Sequence, residues 1–559
     1  MIRKSKKLLC VILAFMMIAM TVMPVFGAVN MFDTQSQIPI ITISGDGNTI
    51  YDKNDQPLSK LSKLFSNNGG DGNGVEDGAV FEATANILMP FLVNGILMDD
   101  WEPYYKNLQK EISELFGDII LDNNGEATNG THISQWHQDQ NAYKMSTDCK
   151  GEKGFYSYDD YQFWYDWRLD PMYIADQFNE YIKAVKQATG SDKVSIICRC
   201  LGTNVVCAYL EKYGTDDIYG VGFDGSVCMG VDAFSEGFSG ELMFDGNAIE
   251  RVLADANSLG IFSIDPFIIA TIDLAEKAGL IDTAIGVTKA TIYEKVYKGV
   301  ISALALSSVS YPSYWACVDI DHFDKAVDCI FGEEGSEKRT TYAGLIEKIT
   351  RYNNQVKKNI PELIKSLPEK DIKVGIIAKY GFQMIPICQS SETIADTFVS
   401  IKSASFGATS GTVYQTLSDE YIAAQTEKGL GKYISPDKQI DASTCILPDN
   451  TWFVKGIRHS EWTYPENMLL STIISSDRQL TVDDFAETQF MVQHPDFWWA
   501  LTPMTEENCN TEAWKADEKT DKPSNGYDKL SALIKSVVDW LNHFVNFIKE
   551  KLFAATPAE

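Results

Sequence analysis

The stretch Val194-Ser195-Ile196-Ile197-Cys198-Arg199-Cys200-Leu201-Gly202-Thr203 constrains this chain more than any other. An apolar, β-branched run leads into Cys200, with the small residues Cys198 and Gly202 two places to either side, and a helical pattern from Asn204 to Tyr213 follows. A strand that turns sharply into a helix holds a reactive side chain up at the end of a parallel sheet. The turn forces unfavourable φ and ψ angles on the nucleophile, so its neighbours have to be small. The pattern predicts an α/β fold with Cys200 as a nucleophile on such a turn.

The chain opens with Arg3, Lys4, Lys6 and Lys7, then the apolar run Leu8 to Met23 and the residues Pro24 to Ala28. A basic start, an apolar stretch and small residues at its end read as a secretory signal peptide over residues 1–28, so a secreted protein is expected. An uncleaved anchor is the other reading of the same run. The formal net charge is −29, and −33 without those four basic residues. Such an acidic chain is a poor nucleic-acid binder, because phosphate attraction needs clustered Lys and Arg.

Of eleven cysteines, ten lie beyond the leader. No C-x-x-C pair or Cys/His metal spacing occurs, so no metal and no cofactor is expected. Cys149, Cys317, Cys329, Cys388, Cys445 and Cys509 are candidates for disulfides with undetermined pairing, whereas Cys198 and Cys200 are poorly placed to bridge each other.

Strands are expected at Ile38 to Gly45, near Phe163, at the Cys200 turn, at Ile218 to Gly225, at Ile372 to Ala378 and at Val399 to Ser405. A helix from about Met172 to Thr189 carries Ile174, Phe178, Tyr181, Ile182 and Val185 on one face. This alternation makes a mostly parallel sheet with flanking helices, over residues 29–515. Residues 122–154 read as a polar surface insertion, and residues 231–368 as a helical insertion capping the active-site face. Residues 526–553 form one amphipathic helix; docking on the protein's own core is its first reading and a membrane-surface or partner contact its second.

Acyl transfer needs a nucleophile, a base, a group orienting that base and donors for the oxyanion. In enzymes that carry a nucleophile on such a turn the order along the chain is nucleophile, acid, His. Four histidines follow Cys200, namely His322, His459, His494 and His543. His322 falls in the expected cap and His543 in the tail helix. His459 sits in a loop after the last plausible core strand and is preferred over its rival His494. Asp396, in Ile394-Ala395-Asp396-Thr397, precedes it as the orienting acid. The backbone N–H groups of Leu201 and Asp46 are the expected oxyanion donors.

These residues carry a resemblance. Tyr165-Asp166-Trp167-Arg168, a helix before the turn, and Arg199-Cys200-Leu201-Gly202-Thr203 together resemble the lecithin:cholesterol acyltransferase and lysosomal phospholipase A2 type of α/β-hydrolase. The likeness extends in outline over residues 38–465, with Asp396 and His459 at the family's acid and histidine. It implies an α/β-hydrolase fold and a lipid or other acyl-ester substrate. Two departures stand out: cysteine replaces the nucleophilic serine, and Arg199 the histidine before it. Arg199, an imidazolium at His459 and the helix N-terminus would favour a thiolate. The alternative is a lapsed hydrolase scaffold that binds a ligand without turnover.

Overall fold

All seven residues of Val194–Cys200 are buried, and a strand with both faces covered belongs inside a parallel sheet. The computed structural model describes residues 37–45, 49–58, 98–116, 119–146, 156–241, 308–384, 388–413, 415–485, 488–493 and 501–509, with 90, 94, 95, 295 and 299 between them. Among these, one eight-stranded sheet contains β1 (Ile40–Ser44), β2 (Tyr161–Phe163), β3 (Val194–Cys200), β4 (Ile218–Ser226), β5 (Lys373–Tyr380), β6 (Thr451–Lys455), β7 (Phe490–Gln493) and β8 (Leu501–Pro503). The strands lie in the order β8-β7-β6-β5-β4-β3-β1-β2. All pairs are parallel except the antiparallel β8 at one edge. The fold is therefore α/β with a mostly parallel sheet and flanking helices.

Period-two alternation divides the core. Ile41, Ile43, Ile196, Val221, Val374 and Ile376 face one layer, built from α1 (Pro171–Thr189), α2 (Leu201–Tyr213) and, further along the chain, Ile360–Glu369. Ile40, Ile197, Ile377 and Val454 face the other, where Leu469, Leu470, Ile473 and Ile474 of the helix Tyr464–Ser475 pack. The start of α1 follows from its capping residues: Asp170 accepts the Met172 N–H at 2.9 Å, and Pro171 opens the first turn. Gly190, in the left-handed conformation, ends it.

The chain passes from β1 to β2 on one side and then to β3 on the other. Open α/β sheets bind ligands beyond the carboxyl ends of their strands at such a reversal. Cys200 ends β3 at that point. By contacts the chain divides into Met1–Ser62, Ile112–Ala248 and Ile301–Trp514 as one unit, with Lys63–Glu111, Ile249–Val300 and Lys515–Glu559 as another. The whole sheet belongs to the first. In the second, Trp101 and Tyr104 pack edge to face at 6.1 Å.

Several expectations change. Val399 to Ser405 is not a strand: a turn leads into the short helix Ile401–Ala404, because the Asp396 carboxylate accepts the Phe398 and Val399 N–H groups and curls the backbone. The polar insertion contains the helix Gln135–Lys144, capped by Ser134. His459 does not follow the last core strand, since β7 and β8 come after it. Within residues 231–368, Ile360–Glu369 buries Leu363, Ile364 and Leu367 in the sheet core instead of capping the site. Cys317, Cys388, Cys445 and Cys509 are free thiols, as are Cys198 and Cys200, and Cys329 is exposed. The signal peptide, Cys149, the apolar stretches at 249–253 and 261–275, His494 and the 526–553 helix lie outside the described residues. So do Val296 to Leu306, apart from Gly299. Among the described residues no helix is long and apolar enough to cross a membrane.

Candidate active site

Cys200 sits between β3 and α2 with φ 47° and ψ −129°, a conformation that costs an L-residue of order 1–3 kcal/mol. The surroundings hold it there. The Thr203 hydroxyl donates to the Cys200 carbonyl at 2.7 Å and accepts the Val227 N–H at 3.2 Å, tying the turn to the end of β4. A Cβ on Gly202 would meet the Ile43 carbonyl oxygen at 2.5 Å, and one on Gly45 would meet Leu201 Cβ at 2.1 Å. Both glycines are required by the close approach of the β1 end to the turn. That approach brings the backbone after β1 to the first turn of α2, whose N–H groups have no partner within the helix. Leu201 is the first residue of that turn; Asp46 lies outside the described residues.

Register adds a second device. Arg199 pairs with Asp224 but Cys200 pairs with Ser226, so Gly225 is bulged out with φ 56°. A Cβ there would stand 3.4 Å from His459 Cε1. The bulge sets Gly225 against the His459 ring.

His459 and Asp396 are both buried, the acid completely. The imidazole Nδ1 is 2.8 Å from Asp396 Oδ2, and the His459 N–H donates to the Asp396 carbonyl at 2.8 Å. Asp396 Oδ1 accepts from the Phe398 and Val399 N–H groups at 3.0 and 2.7 Å, so every oxygen of the acid has a partner. Nε2 of His459 has none. Burial works against a charged ring, but the Asp396 carboxylate and then the Cys200 side chain overcome it, holding the His459 pKa well above its ordinary value. The Cys200 side chain thus acts on the ring, although no well-aligned hydrogen bond joins it to Nε2. The structure brings Cys200, His459, Asp396 and Leu201 together. Among the described residues no three His, Cys, Asp or Glu side chains gather as a metal site.

An aromatic wall accompanies this group. Trp167 stacks on Tyr314 at 5.6 Å, Tyr314 packs on Phe234 at 4.6 Å, Phe234 meets Phe398 at 5.9 Å, and Phe398 lies 5.3 Å from the His459 ring. All four aromatics are only partly buried. Cys200 and Leu201 belong to the apolar cluster that Trp167, Phe234, Tyr314 and Phe398 pack against. Burial, aided by Cys317 and Cys200, raises the Tyr314 phenol above its usual value and keeps it neutral. Trp167 is aimed by its neighbours: the fully buried Arg168 grips Asp166 through Nε and Nη2 at 2.9 and 2.6 Å and donates to the Ile119 carbonyl at 2.6 Å. Phe234, Tyr314 and Phe398 carry no spacing signal that could have marked them in the sequence.

Arg199 does not face Cys200. As the neighbouring strand residue its side chain takes the opposite side, where Nε is 3.3 Å from Asp224 Oδ2 and Nη2 donates to Asn467 Oδ1. The favourable charge expected from it beside the thiol is thus spent in another pair. No protein-family model matches the chain, and neither a curated protein nor a solved structure matches it.

Proposed function

We propose that this protein is an acyl hydrolase or acyltransferase of the α/β-hydrolase type, acting on an ester or thioester with an apolar, lipid-like acyl part. The observation that carries the reading is His459, bound to a buried carboxylate through Nδ1 and left with an unpartnered Nε2 next to Cys200. The raised His459 pKa keeps the proton of the Cys200–His459 pair on Nε2, and the deprotonated Cys200 sulfur attacks the acyl carbonyl. The oxyanion forms beside the Leu201 N–H at the start of α2. The C–O or C–S bond to the leaving group then breaks as Nε2–H protonates that group, leaving a thioester on Cys200. Water or an acceptor alcohol loses its proton to Nε2 and attacks the thioester, releasing the acyl product and restoring the Cys200 sulfur with the pair's proton on Nε2. Asp396 holds the ring and stabilises the imidazolium throughout. The strained turn, the position at the sheet reversal and the Tyr165-Asp166-Trp167-Arg168 resemblance support the hydrolase assignment; the aromatic wall supports an apolar acyl group.

The rival reading, a lapsed scaffold that only binds, expects Cys200 to be buried, bridged or remote from His459. Cys200 is buried at 7 % exposure, but it is unbridged and lies beside the ring. The deciding experiment measures turnover of acyl esters graded in chain length by wild type and Cys200→Ala. Turnover that the substitution abolishes supports catalysis at Cys200; equal turnover overturns it.

A further inference from the structure

Beneath the histidine loop lies a buried charged cluster that the mechanism above does not use. Lys379, on β5, is wholly buried. Its ammonium stands 3.4 Å from Asp224 Oδ1 and 3.6 Å from Glu466 Oε1, and donates to the Glu461 carbonyl. Arg199 completes the group through Asp224. Two cations and two carboxylates cancel formally, so the cluster can sit below an imidazolium without opposing it. Burial raises the Glu466 carboxyl, and Lys379 pulls it back. Asp224 Oδ1 and Glu466 Oε1 have no hydrogen-bond partner. A network this imperfectly satisfied is a poor source of stability, because the desolvation of its ions is not fully repaid.

What it does hold is the loop that carries the base. Trp462 stands three residues after His459, with Lys379 Nζ 3.8 Å and the Arg199 guanidinium 5.2 Å from its ring centroid. The same ring packs edge-on against the His459 imidazole at 6.1 Å. The next residues, Thr463 to Glu466, form the capping box of the helix Tyr464–Ser475, and Glu466 belongs to both structures.

We propose that Lys379 and Trp462 are positioning residues for His459: the buried ammonium grips the Glu461 carbonyl and the Trp462 face, and the tryptophan holds the imidazole in line with Cys200 and Asp396. This rests on His459 being the base, and its test needs no acyl substrate. Trp462→Leu, Trp462→Phe and Lys379→Met are compared with wild type in two assays. One is the rate of iodoacetamide alkylation at Cys200, followed by peptide mass spectrometry. The other is the pH titration of the His459 ring by NMR. Misplacing the ring by about an ångström in Trp462→Leu should slow alkylation on the order of 10–100-fold and move the His459 titration down toward the ordinary histidine value. Trp462→Phe, which keeps an aromatic face for the cation, should restore most of both. A folded Trp462→Leu protein with wild-type alkylation and titration overturns the proposal. Lys379→Met should behave as Trp462→Leu; if it does not fold, the tryptophan pair decides alone. Ester turnover by Cys200→Ala is judged separately, so acyl transfer can fail while this positioning stands.

Discussion

His459 is attached to Asp396 twice, by Nδ1 to the carboxylate and by its backbone N–H to the carbonyl, each at 2.8 Å. One bond would orient a ring that could still swing with its loop. Two fix ring and loop together and leave Nε2 as the only imidazole nitrogen free for Cys200. Asp396 is itself immobilised by the Phe398 and Val399 amides, which makes the acid a rigid anchor.

The charge of that anchor should be visible in the histidine titration. Asp396→Asn keeps the shape, removes the carboxylate and should move the His459 titration clearly downward, as read by NMR. Alkylation of Cys200 should slow in parallel.

The same shift links stability to pH, with a definite sign. A histidine whose pKa is raised by folding stabilises the protein fully below its unfolded pKa, about 6.5, and loses that contribution as the pH climbs through the folded value. Wild type should therefore lose melting temperature above about pH 6.5 more steeply than Asp396→Asn. Parallel melting curves against pH would remove the assigned His459–Asp396 coupling.

Substitutions at Cys200 should separate strain from chemistry. Cys200→Ala is expected to abolish ester turnover with little change in melting, and Cys200→Ser to retain part of the activity. Cys200→Gly should also be inactive but more stable, by about 1 kcal/mol, because the φ and ψ angles cost glycine little. Unfolding by urea measures this directly.

The contact between the β1 end and the turn should be intolerant of any side chain. Gly202→Ala places its Cβ against the Ile43 carbonyl oxygen, which should cost about 1–3 kcal/mol as an overpacked site. Alkylation of Cys200 should change as well, since the backbone has to move next to it.

Arg168 tests the wall behind the site. Arg168→Ala leaves Asp166 and the Ile119 carbonyl without their buried donor and should cost about 3–5 kcal/mol, the usual effect of breaking a buried pair. Arg168→Lys should recover only part, because a single ammonium cannot make the two-point contact with Asp166.

How much was legible depends on what each signal encodes. Apolar runs of the right length and period mark buried strands and helices, so β1, β3, β4, β5 and α1 could be read within a few residues. Chain order then selected Cys200, Asp396 and His459, because topology brings the ends of successive parallel strands to one edge. The Val399 to Ser405 expectation failed because its apolar residues are buried by a turn and a short helix. Burial has no period over so few residues. β7 and β8 escaped notice for a similar reason: two short strands among aromatic residues give no alternation long enough to see.

The sequence by itself determined local facts: the strand, tight turn and helix around Cys200, the caps of α1, and the exclusion of bulky neighbours at Gly202. Tertiary structure alone decided the partners of the charges. Lys379 lies in an apolar strand, and nothing near it in the chain says that Asp224, Glu466 and Trp462 will surround it. Arg199 was expected beside the thiol and instead faces Asp224, because alternation along a strand sends adjacent side chains to opposite faces. Electrostatic pairing acts through space between neighbouring strands, so it emerges only once the strand order and register are known.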